Sequence, residues 1–324
     1  MMRLKLVPQD TAIDFFRHWK VTFGASLVAM VLSLLVFAIM GLNFGIDFRG
    51  GTSIRTEAQE PLDVAAYRDA IAPLGFGDVA ITEVFDPAFG ADRNVASVRI
   101  QAQEGTEAIT TEQINAVRDA LQAVDPTLSF AAVESVGPKV SGELIQAAVI
   151  SVALALAAVL FYIWLRFEWQ FSVGAVAALV HDVVLTIGIF SILQIRFDLA
   201  IIAALLTIVG YSLNDTVVVF DRVRENLIKY KKRPLKEVLT LSINETLSRT
   251  VMTSVTTLLA LLSLFILGGD VIRGFVFAMI WGVSVGTYSS VFVASAMMLQ
   301  LGVKRDWSKN SGDTAGTQFG VKEG

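Results

Sequence analysis

The sequence of 324 residues contains no cysteine, two histidines and seven prolines. Without cysteine there is no disulfide, no thiol nucleophile and no cysteine metal site. His18 and His181 alone do not make a multi-histidine metal centre, so no metal site or cofactor is expected. Charge is also scarce: 17% of residues are Asp, Glu, Lys or Arg, and the formal net charge is −4. No basic patch with interleaved aromatics lies outside the membrane ends, so nucleic acid is not an expected partner. Apolar residues, by contrast, make up 54% of the chain, and the mean hydropathy is +0.62. A soluble domain of this length sits lower on both measures, so the sequence predicts a polytopic α-helical membrane protein.

Six apolar runs are long enough to cross a bilayer as helices: residues 21–41, 144–165, 171–193, 199–220, 251–267 and 271–299. The first follows Arg17 and Lys20 and imitates a signal peptide. It is too long for a typical signal h-region, and no A-x-A-like site follows, so an uncleaved helix is expected. Residues 42–142 are polar enough to form one small soluble domain. Their pattern reads as strand 50–57, helix 61–74, strands 79–85 and 95–102 joined by a turn at 86–94, a helix opened by a T-x-Q cap at Thr110, and a last strand 128–136. That order, βαββαβ, is the split βαβ or ferredoxin-like pattern, which by itself predicts no function. Gly50-Gly51 and Gly137-Pro138 join this domain to the helices and are candidate hinges.

Lys and Arg counts in the short loops set the orientation. Residues 1–20 hold four, Arg166 lies between the second and third runs, residues 222–249 hold eight, and the tail 301–324 holds four. The opposite short loops hold Arg196 and Arg273. Both termini are therefore expected in the cytoplasm, with 1–20 an N-terminal segment, 42–142 outside, and a disordered tail rich in Ser, Gly, Thr and Lys.

The fourth run contains one ionisable residue, Asp215, with Asn214 beside it. A carboxylate at such depth costs roughly 2.5–3.5 kcal/mol on insertion scales, so it needs a partner, a proton or a water path. Two readings follow: a protonated acid that locks helices together, or a proton or ion site, which is the default for intramembrane acids. Arg249, at the cytoplasmic edge of the fifth run, either snorkels to water or pairs with Asp215 at similar depth. His181 and Asp182, near the centre of the third run, are either a proton relay or a helix lock, with Thr186 one turn on. Gly282-x-x-x-Gly286 marks close helix packing. No enzyme is expected. A rhomboid-like protease needs a spaced G-x-S with a facing His that Gly210-Tyr211-Ser212 does not supply, and Asp182 and Asp215 lack a matching Gly-Asp signature.

Several stretches taken together resemble a known family. They are GIDFRGGT from Gly45, VGPKVSGEL from Val136, His181-Asp182, and FDL from Phe197. GYSLNDTVVVFDR from Gly210, NETLSRT from Asn244, IRGF from Ile272 and GTYSS from Gly286 complete the set. In order and spacing, over roughly residues 15–300, this pattern resembles the SecF family, partners of SecD in the bacterial Sec accessory translocase and similar to RND transporters. The resemblance implies a complex with SecD that docks on the SecYEG channel, often with YajC, in the cytoplasmic membrane. It also implies use of the proton gradient to draw exported unfolded polypeptide outward, with Asp215 and Arg249 on the proton path. Residues alone support a proton- or ion-coupled half-transporter. An RND-like small-molecule exporter subunit and an uncoupled assembly scaffold are the other readings.

Overall fold

The computed structural model describes residues 11–77, 79–84, 94–101 and 109–303. Residues 86–93 of the turn expected at 86–94, the first ten residues and the tail from 304 lie outside the described residues. Among the described residues, six helical segments are long and apolar enough to cross a membrane. They are α1 (Trp19–Met40), α5 (Pro138–Arg166), α6 (Trp169–Leu193), α7 (Leu199–Lys229), α8 (Leu235–Leu267) and a last span built from α9 (Asp270–Ser289), a π-helical turn (Ser290–Ala294) and α10 (Ser295–Leu301). The helices α6, α7 and α9 pack on one another and form the centre of the bundle; α1 packs on α6, and α8 on α7 and α9.

Between α1 and α5 the chain forms α2 (Ile46–Arg49), β1 (Gly51–Ala58), α3 (Val64–Ile71), β2 (Val79–Val84), β3 (Asn94–Gln101), α4 (Thr111–Val124) and β4 (Ser129–Val136). The sheet is antiparallel throughout with strand order β2-β3-β1-β4, the arrangement that βαββαβ connectivity gives. Alternation explains the core: Ile54, Ile81, Val98 and Ile100 point to one face and meet Tyr67, Ile71, Val117 and Leu121 of α3 and α4. The expected cap is present in full. Thr110 Oγ1 accepts from the Gln113 backbone N–H at 3.3 Å, and Gln113 Oε1 accepts from Thr110 N–H at 2.8 Å.

Two membrane helices run further than their apolar stretches. The helix α7 continues past Phe220 to Lys229, and α8 begins at Leu235, so Asn244 to Thr250 lie inside a helix rather than ahead of one. Nothing between Leu235 and Thr250 breaks a helix, and Pro234 sits just before its first turn, where proline costs no hydrogen bond. The polar ends of α7 and α8 are tied by Arg222 Nε to Glu245 at 2.7 Å and by Asn226 Nδ2 to Glu245 at 2.6 Å and Ser242 Oγ at 3.0 Å. Asn244 holds the segment before α1, accepting from Ile13 N–H at 2.9 Å and donating to Ile13 O at 2.9 Å.

At the other end the sheet domain is seated on the start of α7. Phe197 N–H donates to Asn43 O, and Gly45 N–H donates to Phe197 O, both at 2.8 Å. Phe44, Phe48, Phe190 and Phe197 form an aromatic cluster beneath that contact. Asp198 caps α7 through Ile201 N–H at 3.3 Å, and Asp47 Oδ2 accepts from Leu199 N–H at 3.0 Å. Two carboxylates thus meet the positive end of the helix.

The two expected joints differ. Gly50 has φ 72° and ψ 163°, and Gly51 has φ 133°, backbone regions that side chains exclude. Gly137 has φ −73° in extended backbone, and Pro138 opens α5 at its first position. The Gly50→Ala variant should cost about 1–3 kcal/mol through this strain, whereas Gly137→Ala should cost well under 1 kcal/mol, as at an ordinary cap. Thermal unfolding of the two variants in detergent checks this; equal effects would refute the backbone argument.

Candidate functional site

Asp215 lies near the middle of α7, 2% exposed, and its Oδ2 has no hydrogen-bond partner. Arg249 on α8 is within electrostatic range of that carboxylate but forms no ion pair with it among the described residues, and its side chain is exposed. The two residues are therefore brought near one another without being joined. Asn214 points elsewhere: with Ala203, Thr207 and Gly210 it forms an exposed stripe of small and polar residues along α7. Nothing within 4 Å would oppose a Cβ on Gly210, so this face is open in the single chain. Polar groups exposed on a membrane helix need covering by protein or water.

His181 and Asp182 are each 1% exposed and sit at the centre of the bundle. Asp182 Oδ2 accepts from Ser212 Oγ on α7 at 2.6 Å and from Ser289 Oγ on α9 at 2.9 Å. Its Oδ1 lies 3.0 Å from His181 Nδ1, so a proton on that nitrogen completes the shell. Thr186 Oγ1 donates to the backbone carbonyl of Asp182 at 2.7 Å rather than to the carboxylate. Tyr288 stands 6.0 Å from the His181 ring, and its hydroxyl meets Ser26 Oγ on α1 at 2.9 Å. One carboxylate thereby ties α6 to α7 and α9.

Gly282 and Gly286 make that approach possible. A Cβ on Gly282 would overlap the Ile208 side chain, and one on Gly286 would sit 3.1 Å from Ser212 Cβ and 3.5 Å from Asp182 Oδ2. Both glycines thus pack α9 on α7 within the chain. The π turn starts one residue after Ser289, with Ser295 Oγ donating to Ser290 O at 3.2 Å, and such turns often mark functional positions. Sequence reasoning weighed Ser212 only as a protease nucleophile and did not read Ser212 or Ser289 as partners of Asp182. Ser212 is one turn before Asp215 on the same helix, so the Asp182 anchor fixes the level of α7 at which Asp215 sits.

Six apolar helical spans around buried acids, with an antiparallel sheet domain seated on one end, define a polytopic membrane protein. The model for "Protein export membrane protein SecD/SecF, C-terminal" matches residues 116–304, and that for the "SecD/SecF GG Motif" matches residues 35–61, which include Gly50 and Gly51. Protein translocase subunit SecF of Cereibacter sphaeroides is 61% identical over 317 residues, covering 98% of each chain. SecF of Vibrio alginolyticus is 40% identical, covering 93% of this chain and 94% of its own. The crystal structure of SecDF from Thermus thermophilus, titled a translocon-associated membrane protein, matches with a TM-score of 0.81 at 36% identity. That match covers 91% of this chain, which spans only 39% of the SecDF chain. The chain belongs to the SecF family, whose members are multi-pass proteins of the bacterial inner membrane.

The two acids differ in what their loss exposes. Asp182→Ala leaves two serine hydroxyls and an imidazole without their acceptor, at about 1–3 kcal/mol for each group left unsatisfied. Asp215→Asn breaks no hydrogen bond at Oδ2, so thermal unfolding of purified protein should show a clear drop for Asp182→Ala and little change for Asp215→Asn. The opposite order would show that the geometric distinction is wrong.

Proposed function

We propose that this chain is an accessory subunit of the Sec translocase that works beside a SecD-type partner and couples proton movement to late steps of protein export. The observation that carries the coupling is the Asp215 carboxylate, buried in the bundle with an unpartnered oxygen and an unjoined cation, Arg249, nearby. Bringing the guanidinium up to Asp215 favours the ionised acid, and protonating the acid removes the attraction. Linkage makes the effect reciprocal: any motion that changes the Asp215–Arg249 separation changes proton occupancy, and the reverse. A charge moved across the membrane potential makes about 2.3 kcal/mol available per 100 mV. The exposed stripe of Asn214, Gly210, Thr207 and Ala203, with Arg249 beside α7, is the surface we assign to the SecD-type partner, which would enclose the proton path.

In this reading both chain ends are cytoplasmic and the sheet domain is periplasmic, as the Lys and Arg distribution favours. The SecYEG channel and YajC are the further partners, an unfolded exported polypeptide is the client, and the chain itself performs no covalent chemistry. The names of the relatives and the shared layout with SecDF support the export reading over a small-molecule exporter.

The test is proton-gradient-stimulated export into membrane vesicles, with subunit abundance measured alongside. Asp215→Asn keeps the shape but does not titrate, so it should be present at normal abundance and lose gradient stimulation. Arg249→Lys keeps the charge without the planar fork and should retain part of the activity. Asp215→Asn with normal abundance and full gradient-stimulated export would overturn the mechanism.

A further inference from the structure

A second opening in the bundle is unrelated to the Asp215 site. A groove of about 450 Å³ runs between α1 and α5 with α6 as its floor. Phe23 and Leu27 of α1, Leu160 of α5, and Val173, Val176 and Val180 of α6 make it apolar. It reaches from Ser172, in the first turn of α6, to His181 near mid-helix. At about 1.5 Å per residue that is about 13 Å, close to half of the ~30 Å hydrocarbon layer, the depth of one leaflet. Ser172 lines the groove and is buried, and its hydroxyl has no partner.

Helix register identifies what stands at the shallow end. Lys20 is three residues before Phe23 on α1, Trp169 four before Val173 on α6, and Trp164 four after Leu160 on α5, so each extends its groove face towards the helix end. Trp164 and Trp169 are 44% and 50% exposed, and Lys20 is exposed with its ammonium over the Trp19 ring. Exposed tryptophans at helix ends mark the headgroup level, and lysines there reach for lipid phosphate. Arg17, one turn earlier, is exposed too. Neither Arg17 nor Lys20 forms an ion pair among the described residues, whereas Arg166 is shared with Asp221 at 3.5 Å and Asp14 with Lys236 at 3.6 Å. Glu168, the cap residue of α6, is the half-buried acid at this level. The end of the groove therefore presents aromatic rings and two cations without counter-ions among the described residues.

We propose that the groove binds one anionic phospholipid, with an acyl chain between α1 and α5 and the phosphate headgroup at Lys20 and Arg17. An apolar groove gains little from lipid by the hydrophobic effect alone, because any tail in the bilayer is equally apolar. Selection comes from shape along the chain and from charge at the head, where each basic residue near the surface contributes about 1 kcal/mol, about fivefold in affinity.

Native mass spectrometry of the purified complex with its membrane partner, titrated with phosphatidylglycerol or phosphatidylcholine, tests the site. The wild type should retain one phosphatidylglycerol at least fivefold more tightly than phosphatidylcholine. Arg17→Gln with Lys20→Gln should abolish that preference, and Ala177→Phe, which fills the groove floor, should remove the tightly held lipid of either kind. The charge variant changes only exposed side chains, so it decides the matter if Ala177→Phe lowers the yield. Equal retention of the two lipids by the wild type, or a preference unchanged in the charge variant, overturns the proposal. So does a photo-crosslinker at residue 177 that captures a protein helix in place of lipid.

Discussion

A carboxylate inside an apolar bundle must find donors, and Asp182 finds them on two neighbouring helices. Its contacts with Ser212 and Ser289 set the spacing of α6, α7 and α9, the three helices on which the other spans pack. The constraint runs both ways. Donors 2.6 Å and 2.9 Å away require the helix backbones to come close, which is why Gly286 lies opposite Ser212 and Gly282 opposite Ile208. Small residues on α9 and a buried acid on α6 are thus parts of one solution, and neither would hold the bundle alone.

The helix α7 is pinned at three levels. At its start Asp47 and Asp198 satisfy backbone N–H groups, and Asp47 belongs to the short helix that leads into the sheet domain. At its middle Ser212 meets Asp182, and beyond the apolar stretch Arg222 and Asn226 meet Glu245 on α8. Asp215 lies between the second and third of these levels. The segment that leads into the sheet domain therefore touches the helix that carries Asp215 directly, through a capping hydrogen bond and an aromatic cluster. Between that segment and the sheet stand Gly50 and Gly51, whose positive φ values glycine adopts freely.

Much of the architecture was legible in the sequence because it rests on short-range physics. Hydropathy finds stretches that suit lipid, period-two alternation finds the strands, and Thr110 with Gln113 announces a helix start through its own backbone. What was not legible depends on distance in the chain. Hydropathy marks where lipid ends, not where a helix ends, so the polar continuations of α7 and α8 went unread. Ser212 and Ser289 were invisible as ligands because a serine in a helix can also satisfy itself on the carbonyl one turn back, as Ser284 does with Ile280. Asp47 gave no sign that it caps a helix 152 residues away. Asp215 and Arg249 stood out as an acid and a cation out of place, but no local rule states whether the two touch.

That they do not touch is informative beside Asp182, which has partners on both oxygens. Asp182 makes three polar contacts through its two oxygens, two of them to serines on other helices, so its carboxylate is tied into the packing of the bundle. Those contacts hold the geometry of the three central helices. Asp215 has the opposite design: one oxygen makes no bond, the nearby cation is free of ion pairs among the described residues, and the adjoining face of α7 is open. Little structure is lost when its charge changes. Ser212, which ties α7 to Asp182, lies one turn from the proposed switch at Asp215 on the same face of α7, so that helix keeps its anchor when the charge at Asp215 changes. In the proposed mechanism the energy of that change acts on what lies beside Asp215, namely α8 and whatever covers the open face.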